Sequence, residues 1–164
     1  MRRVRLASAA LFAAFGVLAA CDQLRGPPGK FNPNSGVIFA AERARELAHQ
    51  CSRAVPSPID GTWTPSEDQI RALEGPLVAL VKQEAARGDF PTAEIDVTKY
   101  FRQYGGLVVG GKRIIHVNAF DEHLAGLSWR SEVPTVCDGG YGLFGVEYDP
   151  ATKTFANFSF NGSG

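Results

Sequence analysis

Three histidines, His49, His116 and His123, are the residues of this chain best suited to acid–base or metal chemistry. None of them lies in an H-E-x-x-H or H-x-H pattern, and no two cysteines have metal-binding spacing, so the sequence predicts neither a metal site nor a cofactor. Asp121 and Glu122 directly precede His123, and a carboxylate beside an imidazole can act as an acid–base pair. Adjacent residues rarely present their side chains to one point, so the alternative is a solvated loop.

A second group of candidate residues lies in a long predicted loop, residues 121–140. Trp and Arg are enriched among the residues that dominate binding interfaces, and long loops in compact domains are often functional. Trp129 and Arg130 are adjacent in this loop, and Asp138 lies near its end. We therefore treat these three as possible binding residues. The alternative is that Trp129 folds inward and caps a sheet.

The N-terminal 21 residues carry the most specific pattern in the chain. Three arginines at positions 2, 3 and 5 precede an uncharged, mostly apolar run over residues 6–20, as in a secretory signal peptide. This run is shorter than the roughly 20 apolar residues that a membrane span needs. It ends in Leu18-Ala19-Ala20-Cys21, which resembles the bacterial lipobox, where Leu and two small residues stand before an invariant Cys.

The resemblance implies that the signal peptide, residues 1–20, is removed and that Cys21 carries diacylglycerol, usually with further N-acylation. It predicts a lipoprotein anchored in a membrane of the cell envelope and facing the periplasm, because two or three acyl chains are enough for stable anchoring. The alternative is an ordinary signal peptide cut at an Ala-x-Ala-like site, which leaves Cys21 as a thiol. Asp22 resembles the inner-membrane retention signal of enteric bacteria, a rule that does not hold for all Gram-negative groups, so inner versus outer membrane stays open.

Lipid on Cys21 leaves Cys51 and Cys137 as the two remaining cysteines of the chain. Exported proteins reach an oxidising compartment, where disulfides form and persist. We therefore predict a disulfide between Cys51 and Cys137 that holds the long loop to the first helix. The alternative is two separately buried thiols.

Charge and motifs together limit the possible functions. The chain has 17 basic and 17 acidic residues, and removal of three arginines with the signal leaves a net charge of −3. This balance lacks the positive footprint of a nucleic-acid-binding protein, so we expect no nucleic-acid partner. No serine has the G-x-S-x-G context of a nucleophile elbow. We therefore expect a binding or envelope-associated module with a periplasmic protein or envelope ligand. The alternative is a small envelope hydrolase with a His/carboxylate site.

Residues 21–35 are rich in Pro, Gly and Asn and predict a lipidated Cys followed by a flexible tether. The alternative is a coil that packs on the domain through Phe31. Residues 36–164 have the length of one domain with a substantial core.

Two helices are expected in the first half of this domain. Apolar residues recur at helical spacing over residues 37–51, which predicts a helix capped by Ser35 with Cys51 on its buried face. Residues 64–67, Thr-Pro-Ser-Glu, match a capping box at the start of a second helix. Pro76 predicts a kink or break in that helix.

The second half of the domain predicts four strands, over residues 98–109, 113–120, 141–148 and 154–160. Gly110-Gly111 is a hairpin signal between the first two. Sequential strands with short connections usually pair, so the sequence predicts an α+β fold with two N-terminal helices on a four-stranded antiparallel meander. This element order is similar to cystatin-like folds. The residues from Trp129 to the C-terminus resemble the ends of small uncharacterised exported proteins of Gram-negative bacteria.

Overall fold

The sheet in the computed structural model contains six strands within the described residues, 29–88, 90–126 and 128–162. The strands are β1 Gly36–Ile38, β2 Ile59–Trp63, β3 Phe101–Val109, β4 Lys112–Phe120, β5 Leu143–Asp149 and β6 Thr154–Phe160. The α+β fold class is as predicted. The signal peptide, Cys21 and the first part of the predicted tether lie outside the described residues. In the part that the structure covers, no helix has the length and apolar character needed to cross a membrane.

The predicted sheet of four antiparallel strands is wrong in detail, because the sheet is mixed and has two further strands. Strands β3 to β6 follow one another in antiparallel order. On the other edge of β3, β1 pairs in parallel with its first half and β2 pairs antiparallel with its second half. Gly106 allows β2 to approach, because a Cβ at this position would collide with the carbonyl oxygen and indole ring of Trp63.

The first helix is much shorter than predicted. Residues 36–38 form β1 instead, and only Ala41–Ala44 is α-helical (α1), followed by a 3₁₀ turn at Arg45–Ala48. Ser35 therefore caps no helix. Its carbonyl oxygen accepts a hydrogen bond from the Arg102 N–H at 2.8 Å, because the chain here has joined the sheet. Apolar spacing that fits a helix also fits a short strand followed by one helical turn.

The second helix, α2, spans Glu67–Arg87. Its N-cap is Ser66 rather than Thr64, so the helix begins two residues later than predicted. Ser66 and Gln69 form the capping box: the Ser66 hydroxyl accepts from the Gln69 N–H, and the Gln69 side chain accepts from the Ser66 N–H. Thr64 instead accepts a hydrogen bond from the N–H of Ala41, at 2.9 Å. The helix continues through Pro76 without a break.

Residues 29–35, the described end of the predicted tether, lie against the domain as in the alternative. The ring of Phe31 packs edge-on against Tyr104, with the ring centroids 6.2 Å apart. The N–H of Gly29 donates to the carbonyl oxygen of Arg71, in α2, at 2.9 Å. The folded part of the chain therefore begins no later than Gly29.

The sheet has two differently covered faces. The first, which we call the helix face, packs against α2 and forms the main apolar core. Its most buried members include Leu73 and Leu77 from α2 and Ile115, Val117 and Val146 from the sheet. The second, which we call the loop face, lies under α1 and the long segments before β2 and before β5. It carries two smaller apolar clusters, one around Leu107 and Ile114 and one around Phe120, Trp129 and Leu143.

Candidate functional site

His116 is the most deeply buried of the three histidines and lies on the loop face of β4. Its side chain is 2% exposed, and neither ring nitrogen has a hydrogen-bond partner in the described part of the chain. Burial, together with the nearby positive charge of Arg53, lowers the pKa of His116 to about 3. The half-buried Glu147 is its cross-strand neighbour on β5. His116 is therefore a neutral imidazole at neutral pH.

A buried polar network lies beside this histidine on the loop face. Arg53 donates through Nη1 to Oδ1 of Asn161 at 2.6 Å and through Nη2 to Oδ1 of Asn118. Asn118 in turn donates to the Gln103 side-chain oxygen at 3.1 Å. Because the guanidinium is bonded to amide oxygens rather than to a carboxylate, burial lowers the pKa of Arg53 to about 10. A Cβ at Gly145 would come within 2.5 Å of Arg53 Nε, so this glycine makes room for the guanidinium.

The network also fixes the long loop to the sheet. Gln103 donates to the carbonyl oxygens of Trp129 and Glu132, at 2.6 and 2.7 Å. Asn161 donates to the carbonyl oxygen of Val136 at 2.5 Å. These donors satisfy loop carbonyls that would otherwise be buried without partners, which is costly. The network is thus a structural connection between sheet and loop.

The predicted disulfide between Cys51 and Cys137 is confirmed, with the two Cα atoms 5.2 Å apart. It joins the segment that carries Arg53 to the loop that the network holds. Cys51 is exposed rather than buried, because the predicted helix ends at Ala48 and the chain turns outward before reaching it. Cys137 is exposed as well.

Trp129 and Arg130 have separate structural contacts. Trp129 is 8% exposed and packs on Phe101 and Phe120, with ring centroids 4.7 and 6.2 Å apart. This is the inward-folded arrangement that the sequence left open. Arg130 lies over the indole ring and donates to the carbonyl oxygens of Pro33 and Asn34, at 2.7 and 3.0 Å. It thereby holds residues 29–35 against the domain.

The third candidate binding residue, Asp138, is exposed next to the disulfide. His49 is also exposed, at the end of the 3₁₀ turn. Neither of them is brought to the buried network by the described contacts. The candidate site residues of the sequence therefore lie at several separate places.

Asp121, Glu122 and His123 line a cleft of about 160 Å³ at the start of the long loop. Its other lining residues are Glu94, Asp96, Lys99, Tyr100 and Tyr141. Asp121 Oδ1 accepts the backbone N–H groups of His123 and Leu124, at 3.0 and 3.1 Å. The carboxylate thus forms the turn rather than orienting the imidazole. Glu122 and His123 are exposed, whereas Asp121 is half-buried and its Oδ1 is occupied by backbone N–H groups.

Two tyrosines complete this cleft. The Tyr100 hydroxyl donates to the Tyr141 carbonyl oxygen at 2.7 Å, and burial, with the nearby Asp121, raises the pKa of Tyr100. The Tyr141 hydroxyl donates to Glu94 at 2.8 Å, and this hydrogen bond raises the pKa of Tyr141. Both phenols are therefore neutral donors at neutral pH. The carboxylates that line this cleft can accept hydrogen bonds or attract a cation. None of its described side chains is an activated nucleophile.

The helix face contains a buried ion pair, formed by Glu74 and Arg102. Glu74 of α2 accepts from Arg102 Nε at 2.9 Å and from the Tyr104 hydroxyl at 2.5 Å. Burial alone would lower the pKa of Arg102, but Tyr104 and Glu74 raise it overall. Among the described residues, no group of three or more His, Cys, Asp or Glu side chains has the arrangement of a metal site.

Sequence reasoning missed the buried network. Arg53, Gln103 and Asn161 stand among apolar or turn residues, and the only available signal was that Asn118 and His116 alternate with apolar residues along β4. Comparison with known proteins adds no assignment, since no family model, curated protein or solved structure matches this chain.

Proposed function

We propose that this protein is a bacterial lipoprotein, held in a membrane of the cell envelope by lipid on Cys21. The observation that carries the proposal is the Cys51–Cys137 disulfide. A disulfide of this kind fits an oxidising compartment outside the cytoplasm. It also leaves Cys21, the cysteine of the lipobox pattern, as the single cysteine available for another modification.

We further propose that the domain acts there as a binding module for a periplasmic protein or another envelope component. This proposal is supported by the fact that the polar side chains named below form hydrogen bonds within the protein itself. Arg53, Gln103 and Asn118 bond to one another or to loop carbonyls inside the protein, and Asp121 forms a turn. These groups stabilise the fold and present no assembled catalytic constellation.

Lipidation is tested with Cys21→Ser. The wild-type protein should fractionate with membranes, and its mature N-terminal peptide should carry the mass of a diacylglyceryl cysteine. Cys21→Ser should accumulate as a longer, unmodified precursor that lacks this anchor. The matched control is the double variant Cys51→Ser/Cys137→Ser, which loses two cysteines but should keep the lipid. An unacylated mature N-terminus in the wild-type protein would show that the proposal is wrong.

Binding is tested by crosslinking in intact cells, followed by purification of the lipidated protein and identification of what is attached. The Cys21→Ser protein, expressed at the same level, serves as control for partners that require the anchor. A partner recovered with wild type and lost with this variant supports a membrane-anchored binding module. Recovery of no envelope component with the wild type counts against it.

A second candidate function, a small envelope hydrolase, is favoured by the cleft of about 160 Å³ that Asp121, Glu122 and His123 line, which we call the acidic cleft. If this candidate were right, His123→Ala would abolish hydrolysis of envelope material by the purified domain and leave its thermal stability unchanged. Equal activity of His123→Ala and the exposed control His49→Ala would exclude a catalytic role for the cleft histidine.

A further inference from the structure

The chain enters the domain beside the first half of α2. Gly29 donates its N–H to the carbonyl oxygen of Arg71, and a Cβ on Gly29 would lie 2.6 Å from Cβ of Glu74 and 2.7 Å from the backbone nitrogen of Gly75. The backbone at Gly29 therefore touches the helix itself. The point where the domain is connected to Cys21 lies on the side of the molecule that carries α2.

The connection between Cys21 and this point is short. Seven residues, 22–28, separate Cys21 from Gly29. Even fully extended, a chain of this length spans at most roughly 30 Å. Helix α2, with its 21 residues, is itself about 30 Å long. If Cys21 is lipidated, Gly29 and the part of α2 that it touches therefore lie within roughly 30 Å of the lipid anchor.

The solvent side of α2 has no exposed charge over residues 72–81, and the exposed acids Glu67 and Asp68, in the first turn before this stretch, are paired with Arg71. Residues 72–81 contain a single charged side chain, Glu74, and it is buried in its ion pair with Arg102. Ala79 is exposed on this stretch. The next exposed charge toward the C-terminus is Lys82, a cation. Anionic phospholipids attract such a cation and do not repel an uncharged face.

Aromatic side chains flank the same face. Phe155 and Phe158 of β6 lie half-buried beside Leu80 and line a cleft of about 270 Å³ between helix and strand. The one carboxylate in the lining of this cleft, Glu84, is paired with Arg87. Half-buried apolar and aromatic side chains are favourable at the level of lipid headgroups. By contrast, Glu94, Asp96 and Glu122 are exposed around the acidic cleft, where an anionic surface would be repelled.

We propose that the outer face of α2, defined by the exposed side of residues 72–83, rests on the surface of the lipid bilayer. This inference rests on the proposed lipidation of Cys21. It adds an orientation: the helix face of the domain is directed toward the membrane, and the loop face with the disulfide is directed toward the periplasm. The loop face is then the surface available to a partner.

The test places a tryptophan on each side of the domain. Ala79→Trp and Gln83→Trp add a ring to the outer face of α2, and both positions are exposed. Ala54→Trp adds the same ring to an exposed position beside Arg53, on the loop side. Each lipidated variant is reconstituted into vesicles of phosphatidylethanolamine and phosphatidylglycerol with a nitroxide on part of the headgroups. Wild type gives the background from Trp63 and Trp129.

The proposal expects the added tryptophans at positions 79 and 83 to lose more fluorescence to the nitroxide lipid than the one at position 54. Equal loss at the three positions, or a greater loss at position 54, would overturn the orientation while leaving the lipid anchor intact. Flotation of the same vesicles separates the two proposals. If wild type does not float with the lipid, the anchor itself is refuted, and the orientation falls with it.

Discussion

The two faces of the sheet are stabilised by different physical means. The helix face is a continuous apolar core, and its buried Arg102 is paired with a carboxylate, Glu74. On the loop face, two small apolar clusters are separated by polar side chains, and its buried Arg53 is bonded to the amide oxygens of Asn118 and Asn161. One face depends on burial of apolar surface, and the other depends on completed hydrogen bonds and a covalent crosslink.

This difference shows how a small domain can hold a long segment without regular structure. The segment before β5 has little helix or strand of its own, so its backbone groups need partners from elsewhere. Two side chains of the sheet region provide some of them. Gln103 of β3 donates to the carbonyl oxygens of Trp129 and Glu132, and Asn161, directly after β6, donates to that of Val136. The loop face should therefore respond to pH and to reductant, whereas the helix face should respond to changes of side-chain volume and charge pairing.

The largest effect is expected for Trp129→Ala on the loop face. Because the indole is almost fully buried against Phe101 and Phe120, its removal should lower the free energy of unfolding by about 3–5 kcal/mol. Urea denaturation followed by circular dichroism measures this loss. The control is Arg130→Ala, which removes exposed contacts. Full stability of Trp129→Ala, with loss of a crosslinked partner, would instead make Trp129 a binding anchor.

A comparable loss is expected for Glu74→Ala on the helix face. The change leaves Arg102 buried without its carboxylate, and an uncompensated buried charge of this kind typically costs about 3–5 kcal/mol. Glu74→Gln is the matched control, because its amide oxygen can still accept from Tyr104, and it should lose less. Equal stability of Glu74→Ala and wild type would mean that the helix face does not depend on this pair.

The third effect, about 2–4 kcal/mol, is expected when the disulfide is lost. Cys51→Ser/Cys137→Ser releases a crosslink between residues separated by 86 positions, so the unfolded chain gains conformational freedom. The midpoint of thermal unfolding should fall for this variant and, to the same extent, for wild type treated with reductant. A variant that melts like the oxidised wild type would show that the hydrogen-bond network alone holds the loop.

The smallest effect concerns pH. The pKa of His116 is about 3 in the folded protein and about 6.5 when exposed, so the native state resists protonation that the unfolded chain accepts. Above pH 6.5 the histidine is neutral in both states and does not favour unfolding. Between pH 6.5 and pH 3 it is protonated only in the unfolded chain, so the free energy of unfolding falls as the pH falls. The free energy of unfolding should therefore decrease by about 1.4 kcal/mol per pH unit below pH 6.

The comparison for this effect is His116→Gln, which has no titrating group at this position. Its stability at pH 5, relative to pH 7, should decrease by about 2 kcal/mol less than that of wild type. Urea denaturation at both pH values measures the difference. The same pH dependence in both proteins would show that His116 is not the source of the acid sensitivity.

Much of the second half of the fold could be predicted because its signals are local. Strands β3 and β4 alternate in side-chain character, and the two glycines of their turn both have positive φ, 55° and 74°, as a tight hairpin requires. Helix α2 was predictable from its cap and apolar spacing, with an error of two residues at its start. The disulfide followed from the cysteine count.

The part of the first half that precedes α2 could not be predicted in the same way, because its structure depends on distant partners. Strand β1 has three residues and becomes a strand only by pairing with residues 102–104. Arg53 has no local pattern, and its role appears only where Asn118 and Asn161 meet it. The position of the acidic cluster was predictable from Asp121 to His123, but its use as a backbone turn depends on geometry that spacing does not determine.

Strands β1 and β2 pair with the same edge of β3, and this has a consequence for the order in which the protein folds. A chain that crosses a membrane from its N-terminus presents residues 29–63 to the periplasm before β3 has emerged. At that moment β1 and β2 have no strand to pair with, and Cys51 has no partner cysteine. We therefore expect residues 29–63 to stay unfolded until β3 has emerged, which leaves Cys21, the cysteine of the proposed lipid anchor, accessible to modifying enzymes during this time. The delay in folding would then leave time for the proposed attachment of lipid to Cys21.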